Sequence, residues 1–259
     1  MNFIKKIFSN ILSTIISTII LFVILLIFFS TLVNYMNKKD RISVEENTVL
    51  KIDLSTPVVE RSADNPIDFI NSSGDYPIEL KDVLMSIEKA KNDDRIKLIY
   101  LNFSEVNAGL SCIEEIRTKL IDFKTSGKQI IAYSNYYSQY SYLLCSVADK
   151  IYLNPNGFID LKGISASVVF FKNLLAKIGI ETQIIRKGQF KSAVEPFTET
   201  KMSKSSRLQT KLLIEDISEF MTNCISEERN IEVSKINNDI NELRLNSAAA
   251  CKKLNYIDD

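Results

Sequence analysis

One segment decides how the rest of the chain is interpreted, namely Arg186-Lys187-Gly188-Gln189-Phe190-Lys191-Ser192-Ala193-Val194-Glu195-Pro196-Phe197. It follows an apolar run from Thr182 to Ile185 and precedes a long amphipathic helical pattern. Pro196 removes a backbone donor and fixes the exit of the loop. The pattern predicts a strand that ends in a glycine turn and presents Lys191 at its tip, on a rigid scaffold suited to a reactive side chain. Most exposed loop lysines are only solvated charges, so both interpretations stay open at this point.

Composition excludes several classes of function. The 259 residues have a formal net charge of zero, so nothing favours nucleic acid as a partner. The chain contains no histidine, which excludes Ser-His, Cys-His and His-metal chemistry by this chain alone. Lysine, carboxylate, tyrosine and cysteine are the proton acceptors that remain. Neither a GxGxxG nor a Walker-type loop follows a predicted strand, and we predict no cofactor and no metal site.

The four cysteines show no CxxC spacing, and three lie on apolar faces of predicted helices. Buried single thiols are therefore favoured over disulfides or zinc ligands. They are Cys112, Cys145, Cys224 and Cys251.

The N-terminal residues predict a membrane anchor. Residues 11–33 are almost wholly apolar and, at ~1.5 Å per residue, reach roughly 35 Å, enough to cross a bilayer. A cleaved signal peptide is the alternative, but its apolar core is usually shorter and is followed by small residues of A-x-A type. No alanine occurs before Ala63, which favours an uncleaved anchor. We divide the chain into a short tail (1–10), the anchor (11–33), a linker (34–47) and one domain (48–259).

Basic residues flank the anchor on both sides and leave its orientation open. Lys5 and Lys6 precede it, and Lys38, Lys39 and Arg41 follow it. The positive-inside rule is therefore close to balanced.

Strand and helix patterns alternate at least four times beyond the anchor, which predicts a layered α/β domain with mainly parallel pairing. A capping box at Ser111–Glu114 is expected to open one of the helices. The predicted strands are 48–55, 96–103, 129–133, 150–153 and 182–185. The predicted helices are 79–91, 111–124, 136–148, 168–178, 205–229, 234–240 and 247–253, with a long loop at 56–77.

The sequence resembles the long, tandem form of signal peptide peptidase A, also called protease IV. Phe190 to Phe197, preceded by Gly188, resembles the segment of that family that carries its general base. The likeness extends to 127–133 and to 148–163, and forward through Met202-Ser203. It covers most of residues 45–259 and the anchor.

The resemblance implies a crotonase/Clp-protease-like fold and a membrane-anchored serine endopeptidase with a Ser/Lys dyad. Such enzymes digest cleaved signal peptides, and other apolar peptides are expected to bind in the same way. They lie on the outer, periplasmic face of the cytoplasmic membrane, with a single membrane pass. The resemblance also implies a homotetramer. In this family the first half of the tandem chain supplies the lysine and the second half supplies the serine.

Carried over by this resemblance, Lys191 falls on the general base. A lysine base must be neutral near its working pH, so an apolar, water-poor site has to lower its pKa. Phe190, Ala193, Val194 and Phe197 are the expected walls. Glu195 is expected to point elsewhere as a structural group, because an opposite charge would favour the ammonium form.

The nucleophile is where the sequence departs from the family. Counting back from Asn154-Pro155, Gln139 occupies the position of the serine, and Tyr140-Ser141 replace a glycine pair. Glutamine cannot attack a carbonyl. Ser138 and Ser141 are expected to be ordinary turn or helix-surface hydroxyls. Ser192 is expected to be a poor partner, since neighbours on an extended chain point to opposite sides.

The leading hypothesis is that this chain is the lysine-bearing N-terminal half of such a peptidase, as a fragment, a split-gene product or a separate subunit, and inactive alone. The second hypothesis is a catalytically empty membrane-bound scaffold or partner subunit that binds peptides. An acyl-CoA hydratase or isomerase of the same architecture is a weaker third, because those enzymes are usually soluble.

Overall fold

The described residues divide into two units, Met1–Glu45 and Glu46–Asp259. The computed structural model describes residues 2–36, 43–61, 77–185, 187–188 and 190–259.

The first unit is built on one long helix, α1 (Asn2–Met36). Its segment Asn10–Leu32 is long and apolar enough to cross a membrane. Hydroxyl groups inside this segment bond to their own helix, as between Thr14 Oγ1 and the carbonyl of Asn10 at 2.8 Å. This satisfies the few polar side chains without water, as a bilayer requires. Residues 2–10, expected as a separate tail, continue the same helix.

The second unit is organised around a four-stranded parallel sheet in the order β1-β4-β5-β7. Branched and aromatic residues dominate these strands, because they pack well on a pleated surface. Parallel pairing, predicted from the alternation of strands and helices, is confirmed. The strands are β1 (Thr48–Ile52), β4 (Ile96–Leu101), β5 (Gln129–Ser134) and β7 (Lys150–Leu153).

Helices connect these strands and bury their apolar faces. Helix α2 packs against α3, α3 against α4, and α4 against α7. In α3 the side chains of Ile113, Ile116, Leu120 and Phe123 are fully buried. Burying each such side chain contributes roughly 1.5–3 kcal/mol. The helices are α2 (Leu80–Asn92), α3 (Leu110–Lys124), α4 (Gln139–Cys145), α5 (Lys172–Lys177), α6 (Glu195–Thr198), α7 (Lys204–Arg229), α8 (Val233–Asn241) and α9 (Ala248–Lys253).

Two short parallel pairs complete the strands. The first joins β2 (Val58–Val59) to β3 (Ile78–Glu79), and the second joins β6 (Tyr137–Ser138) to β8 (Ile159–Asp160).

The last described residues cover the β7 edge of the sheet. The N–H of Leu153 donates to the carbonyl of Asp259 at 2.8 Å, and the N–H of Asp258 donates to the carbonyl of Ile151 at 2.9 Å. The Asp258 carboxylate also accepts from the N–H of Ile151 at 3.0 Å. An uncovered strand edge offers unpaired backbone groups to other chains, and these contacts use several of them.

Several predicted elements differ from the structure. The predicted strand 182–185 is wrong, because these residues form no ladder with any described strand. The helix predicted at 136–148 is preceded by β6 and covers only Gln139–Cys145. The helix predicted at 168–178 is reduced to Lys172–Lys177, and its residues are not buried. A segment with amphipathic spacing forms a stable helix only where another surface buries its apolar face.

The predicted capping box at Ser111–Glu114 is also wrong. Helix α3 begins one residue earlier, at Leu110, and its N-cap is Gly109 without a side-chain cap. The predicted loop 56–77 contains β2, while its residues 62–76 lie outside the described residues. Gly127 closes the turn that follows α3, in the left-handed conformation (φ +78°) with its N–H bonded to the carbonyl of Lys124 at 3.0 Å.

Candidate active site

Lys191 directly precedes a turn that is tied to two other segments. The N–H of Glu195 donates to the carbonyl of Ser192 at 2.9 Å, which closes the turn just before α6. On the far side, the N–H of Phe171 donates to the carbonyl of Pro196 at 2.6 Å. Lys191 therefore directly precedes a short turn and helix that are tied to the segment before α5, and it does not lie at the tip of a strand.

Glu195 holds this turn against α7. Its carboxylate is 2% exposed, and Oε2 accepts from the N–H of Ser203 at 3.1 Å. Ser203 is the N-cap of α7, and its own hydroxyl accepts from the N–H of Ser206 at 3.1 Å. Glu195 is therefore a structural group, as expected.

The Lys191 side chain is exposed and faces an open cavity of about 560 Å³. Three of the expected walls line it, namely Phe190, Ala193 and Val194. The other lining residues are Ile185, Lys187, Ser192 and Gln209. The expectation of a water-poor site is not met by the described residues of this chain. Another surface has to cover the cavity before water is excluded from the amine.

Two further expectations about this turn are corrected. Phe197 does not line the cavity but stacks on Phe171, with ring centroids 6.1 Å apart. Ser192 lines the same cavity as Lys191, because the segment is a turn and the alternation of an extended chain does not apply. No hydrogen bond joins Ser192 to Lys191 among the residues that the structure describes.

Gln139 is the first residue of α4, and its side chain makes a defined contact. Its Oε1 accepts from the N–H of Gly163 at 3.2 Å. Gly163 has φ +82°, a conformation that favours glycine. The Gln139 amide thus connects the start of α4 to the segment after β8.

The two serines beside Gln139 are structural. The hydroxyl of Ser138 caps α4 by accepting from the N–H of Ser141 at 3.3 Å. Ser141 is fully buried, and its hydroxyl donates to the carbonyl of Ser104 at 2.7 Å. Neither hydroxyl is arranged as a nucleophile beside a base.

Lys191 and Gln139 are not brought together within the described chain. None of the described residues that line the Lys191 cavity belongs to α4. Within these residues the geometry therefore provides a lysine without a nucleophile.

The cysteines do not fill that role. All four are free, and Cys112, Cys145 and Cys251 are buried. Burial raises the pKa of the Cys251 thiol to about 11 and raises that of Cys145 further. A thiol is nucleophilic as the thiolate, so these groups are unreactive near neutral pH.

Sequence reasoning missed a second concave surface, a polar crevice at the carboxyl ends of β1, β4 and β5. Residues that follow these strands line it, including Asp53, Asn102, Glu105 and Tyr136. The signal was present as polar residues directly after three parallel strands, where α/β sheets commonly bind ligands.

The parallel sheet and the helices packed along the chain define a Clp-protease-like α/β domain. The sequence profile described as "Peptidase family S49" matches residues 122–259, more than half of the chain. The chain therefore belongs to peptidase family S49, the family of signal peptide peptidase A.

Named relatives support this assignment over parts of their length. The chain is 37% identical over 157 residues to "Protease 4" of Haemophilus influenzae, covering 60% of this chain and 25% of that protein. It is 38% identical over 129 residues to "Protease 4" of Salmonella typhi, covering 49% and 21%. It is 25% identical over 197 residues to "Serine protease SPPA, chloroplastic" of Arabidopsis thaliana, covering 74% and 29%. The matches thus span about a quarter of the length of these relatives.

Proposed function

We propose that this chain supplies the general base of a membrane-anchored serine endopeptidase, with Lys191 as that base. The observation that carries the proposal is the Lys191 cavity. An exposed amine lies between Phe190, Ala193 and Val194, with the nearby carboxylate of Glu195 engaged by Ser203. Another domain that covers this cavity would exclude water from the Lys191 amine and favour its neutral form.

The chemistry would follow the logic of a Ser/Lys dyad. Neutral Lys191 takes the proton from a serine hydroxyl as that oxygen attacks the peptide carbonyl. It then gives the proton to the leaving amine, and a water repeats the cycle to release the acyl group. In this proposal the serine comes from outside this chain, because Gln139 occupies the matching position, Ser138 caps α4 and the Ser141 hydroxyl donates to the carbonyl of Ser104.

An exposed apolar surface supports a partner domain at this place. The first half of α7 exposes Leu208, Leu212 and Leu213, and Phe190 is 54% exposed beside the lysine. Leu208 and Leu212 share one face of α7, and neighbouring exposed apolar residues of this kind often mark an interaction site. We propose that the serine-bearing half of a tandem protein covers this surface. In this proposal the present chain is the N-terminal half, and the protein assembles as a homotetramer.

The anchor and the family suggest the substrate and location. The segment Asn10–Leu32 fits a single-pass anchor in the cytoplasmic membrane. The proposed substrates are cleaved signal peptides and similar apolar peptides, digested on the outer, periplasmic face. Extended apolar peptides are bound most simply along an exposed strand-like backbone.

Substitution of Lys191 tests the proposal. In the full-length, membrane-extracted protein, Lys191→Ala should lower kcat for an apolar peptide by about 10²–10⁴-fold, the usual contribution of a general base. Lys187→Ala and Ser192→Ala are matched controls, because both residues line the same cavity. They should retain activity within about threefold.

Each outcome separates the candidate functions. Full activity of Lys191→Ala would contradict the proposal. The second candidate, a peptide-binding scaffold, is favoured by the glutamine at the nucleophile position and by the engaged hydroxyls of Ser138 and Ser141. It predicts peptide binding by the wild-type protein without cleavage and without labelling by a serine-directed fluorophosphonate.

A further inference from the structure

The polar crevice is a cavity of about 400 Å³ formed where three parallel strands end. Asp53 follows β1, Asn102 to Glu105 follow β4, and Asn135 and Tyr136 follow β5. Its two carboxylates therefore come from different strands that the sheet brings to one edge.

The floor of the crevice is held by a fixed set of hydrogen bonds. The hydroxyls of Ser104 and Ser134 lie 2.7 Å apart, and Ser134 donates to the carbonyl of Tyr136 at 2.6 Å. The side chain of Asn102 donates to the carbonyl of Tyr133 at 3.2 Å. A pocket whose floor is fixed in this way presents its rim groups in a defined arrangement.

The rim presents two carboxylates and an aromatic ring. Asp53 accepts from both the hydroxyl and the N–H of Ser55, which holds its pKa below the usual range and keeps it ionised. Glu105 accepts from the hydroxyl of Tyr136 at 2.5 Å, which leaves its second oxygen for a ligand. The Tyr136 ring stacks on Phe158 with centroids 5.8 Å apart, so its position is also fixed.

The charge of this crevice is one-sided. Among its described lining residues none is lysine or arginine, while both acidic residues belong to the rim. Lys51, on β1, is the described cation whose charge acts on Asp53. A concave site with two carboxylates, amide and hydroxyl oxygens and an aromatic ring offers the hydrogen-bond acceptors and the ring face that recognise an ammonium group.

The crevice adjoins the start of α4. The carbonyl of Ser104, one of its lining residues, accepts from the N–H of Ser138 at 3.0 Å and from the hydroxyl of Ser141. A ligand in the crevice is thus next to the helix that begins with Gln139.

We propose that this crevice binds the ammonium group of a peptide, either a lysine side chain or a free amino terminus. The source of the peptide rests on the proposed function. Signal peptides carry a basic segment ahead of their apolar core, so a substrate of that class offers such a group. The crevice would then recognise the basic part of a peptide whose apolar part is bound elsewhere.

A binding measurement on the full-length protein tests this inference independently of cleavage. The Lys191→Ala variant is used so that the peptide stays intact. Three labelled apolar peptides of one sequence are compared: one with lysine and an acetylated amino terminus, one with norleucine and a free amino terminus, and one with norleucine and an acetylated terminus. The two charged peptides report separately on the two sources of ammonium.

We expect at least one charged peptide to bind about fivefold more tightly than the uncharged one at low salt, as two weakly screened ion pairs allow. The preference should shrink about twofold or more in ~0.5 M salt, where charge interactions are screened. Glu105→Gln and Asp53→Asn, each added to Lys191→Ala, should reduce it to about twofold or less. Glu115→Gln is the control, because Glu115 is an exposed carboxylate on α3 away from the crevice.

Equal binding of the three peptides would overturn the inference, as would a preference that survives both substitutions. If the three peptides bind equally and cleavage depends on Lys191, the proposed function holds and the ammonium site in the crevice is contradicted. A preference for the charged peptides in a protein that never cleaves peptides would support the ammonium site and contradict the proposed function.

Discussion

At the residue scale, Asp258 links the end of the described chain to the sheet. Its carboxylate accepts from the N–H of Ile151 at 3.0 Å and lies 3.1 Å from Lys150 Nζ and 3.3 Å from Arg229. Partial burial alone would raise the pKa of this carboxyl. The hydrogen bonds from Ile151 and Lys150 and the charge of Arg229 outweigh burial and lower the pKa below 3.8.

A lowered carboxyl pKa makes stability depend on pH in a defined direction. The stabilisation from Asp258 is complete above the unfolded-state pKa and is lost as pH falls through the lower folded-state pKa. At neutral pH we expect Asp258→Asn to reduce the free energy of unfolding by about 1 kcal/mol. The difference from wild type should shrink as the pH falls below the ordinary carboxyl pKa and the folded-state carboxylate takes up a proton.

Urea unfolding of the detergent-solubilised protein at several pH values measures this effect. Asp216→Asn is the control, because Asp216 is exposed on α7. A difference between Asp258→Asn and wild type that persists unchanged in acid would contradict the prediction.

Also at the residue scale, Lys191 shows which features of a site a sequence pattern can predict and which it cannot. Its place beside Phe190, Ala193 and Val194 in one cavity agrees with the sequence prediction. Its exposure was not predictable, because neighbours in sequence say nothing about which distant surface covers a side chain. Gln139 illustrates the same point, since its bond to the N–H of Gly163 depends on a contact 24 residues away.

At the scale of single elements, α3 shows the clearest relation between pattern and burial. Leu120 is fully buried, while the next residue, Ile121, is 40% exposed. Helical geometry places successive side chains about 100° apart, so only one of the two faces the sheet.

This contrast predicts very different costs of truncation. Leu120→Ala should lower the free energy of unfolding by about 2–5 kcal/mol, because it removes transfer energy and leaves a cavity. Ile121→Ala should change it by no more than about 0.5–1 kcal/mol. Urea unfolding of the two variants checks this, and similar midpoints for both would contradict the burial pattern.

Helix α7 shows where pattern alone is insufficient. Its apolar stripe is continuous in sequence, yet Met221 and Ile225 are buried whereas Leu208 and Leu212 are half exposed. Spacing predicts that a helix has an apolar face, but it does not say whether that face packs within the same chain.

At the scale of the whole molecule, the exposed half of α7 and the open lysine cavity are the surfaces that the proposed function assigns to a partner domain. Leu208 and Leu212 are four residues apart and share one face of α7. If this face is covered in the full-length protein, a charge there has to be buried without a partner.

We therefore expect the double variant Leu208→Glu, Leu212→Glu to lower proteolytic activity at least about tenfold and to shift native mass spectra toward smaller assemblies. The helical content of the protein, measured by circular dichroism, should stay unchanged. Met85→Glu is the matched control, because Met85 is an exposed apolar residue on α2. Unchanged activity and unchanged mass in the double variant would show that this face is solvent-exposed in the assembled protein.

The sequence by itself determined the parallel α/β class, the apolar helix able to span a membrane and the inward faces of α3. It also predicted that Phe190, Ala193 and Val194 lie beside Lys191. These follow from local periodicity, apolar length and residue chemistry, which act over a few neighbouring residues. Only the tertiary structure decided that 182–185 form no strand, that Glu195 holds α7, that Lys191 is exposed and that a polar crevice exists. Each depends on surfaces brought together from distant parts of the chain, whose burial energy no local pattern contains.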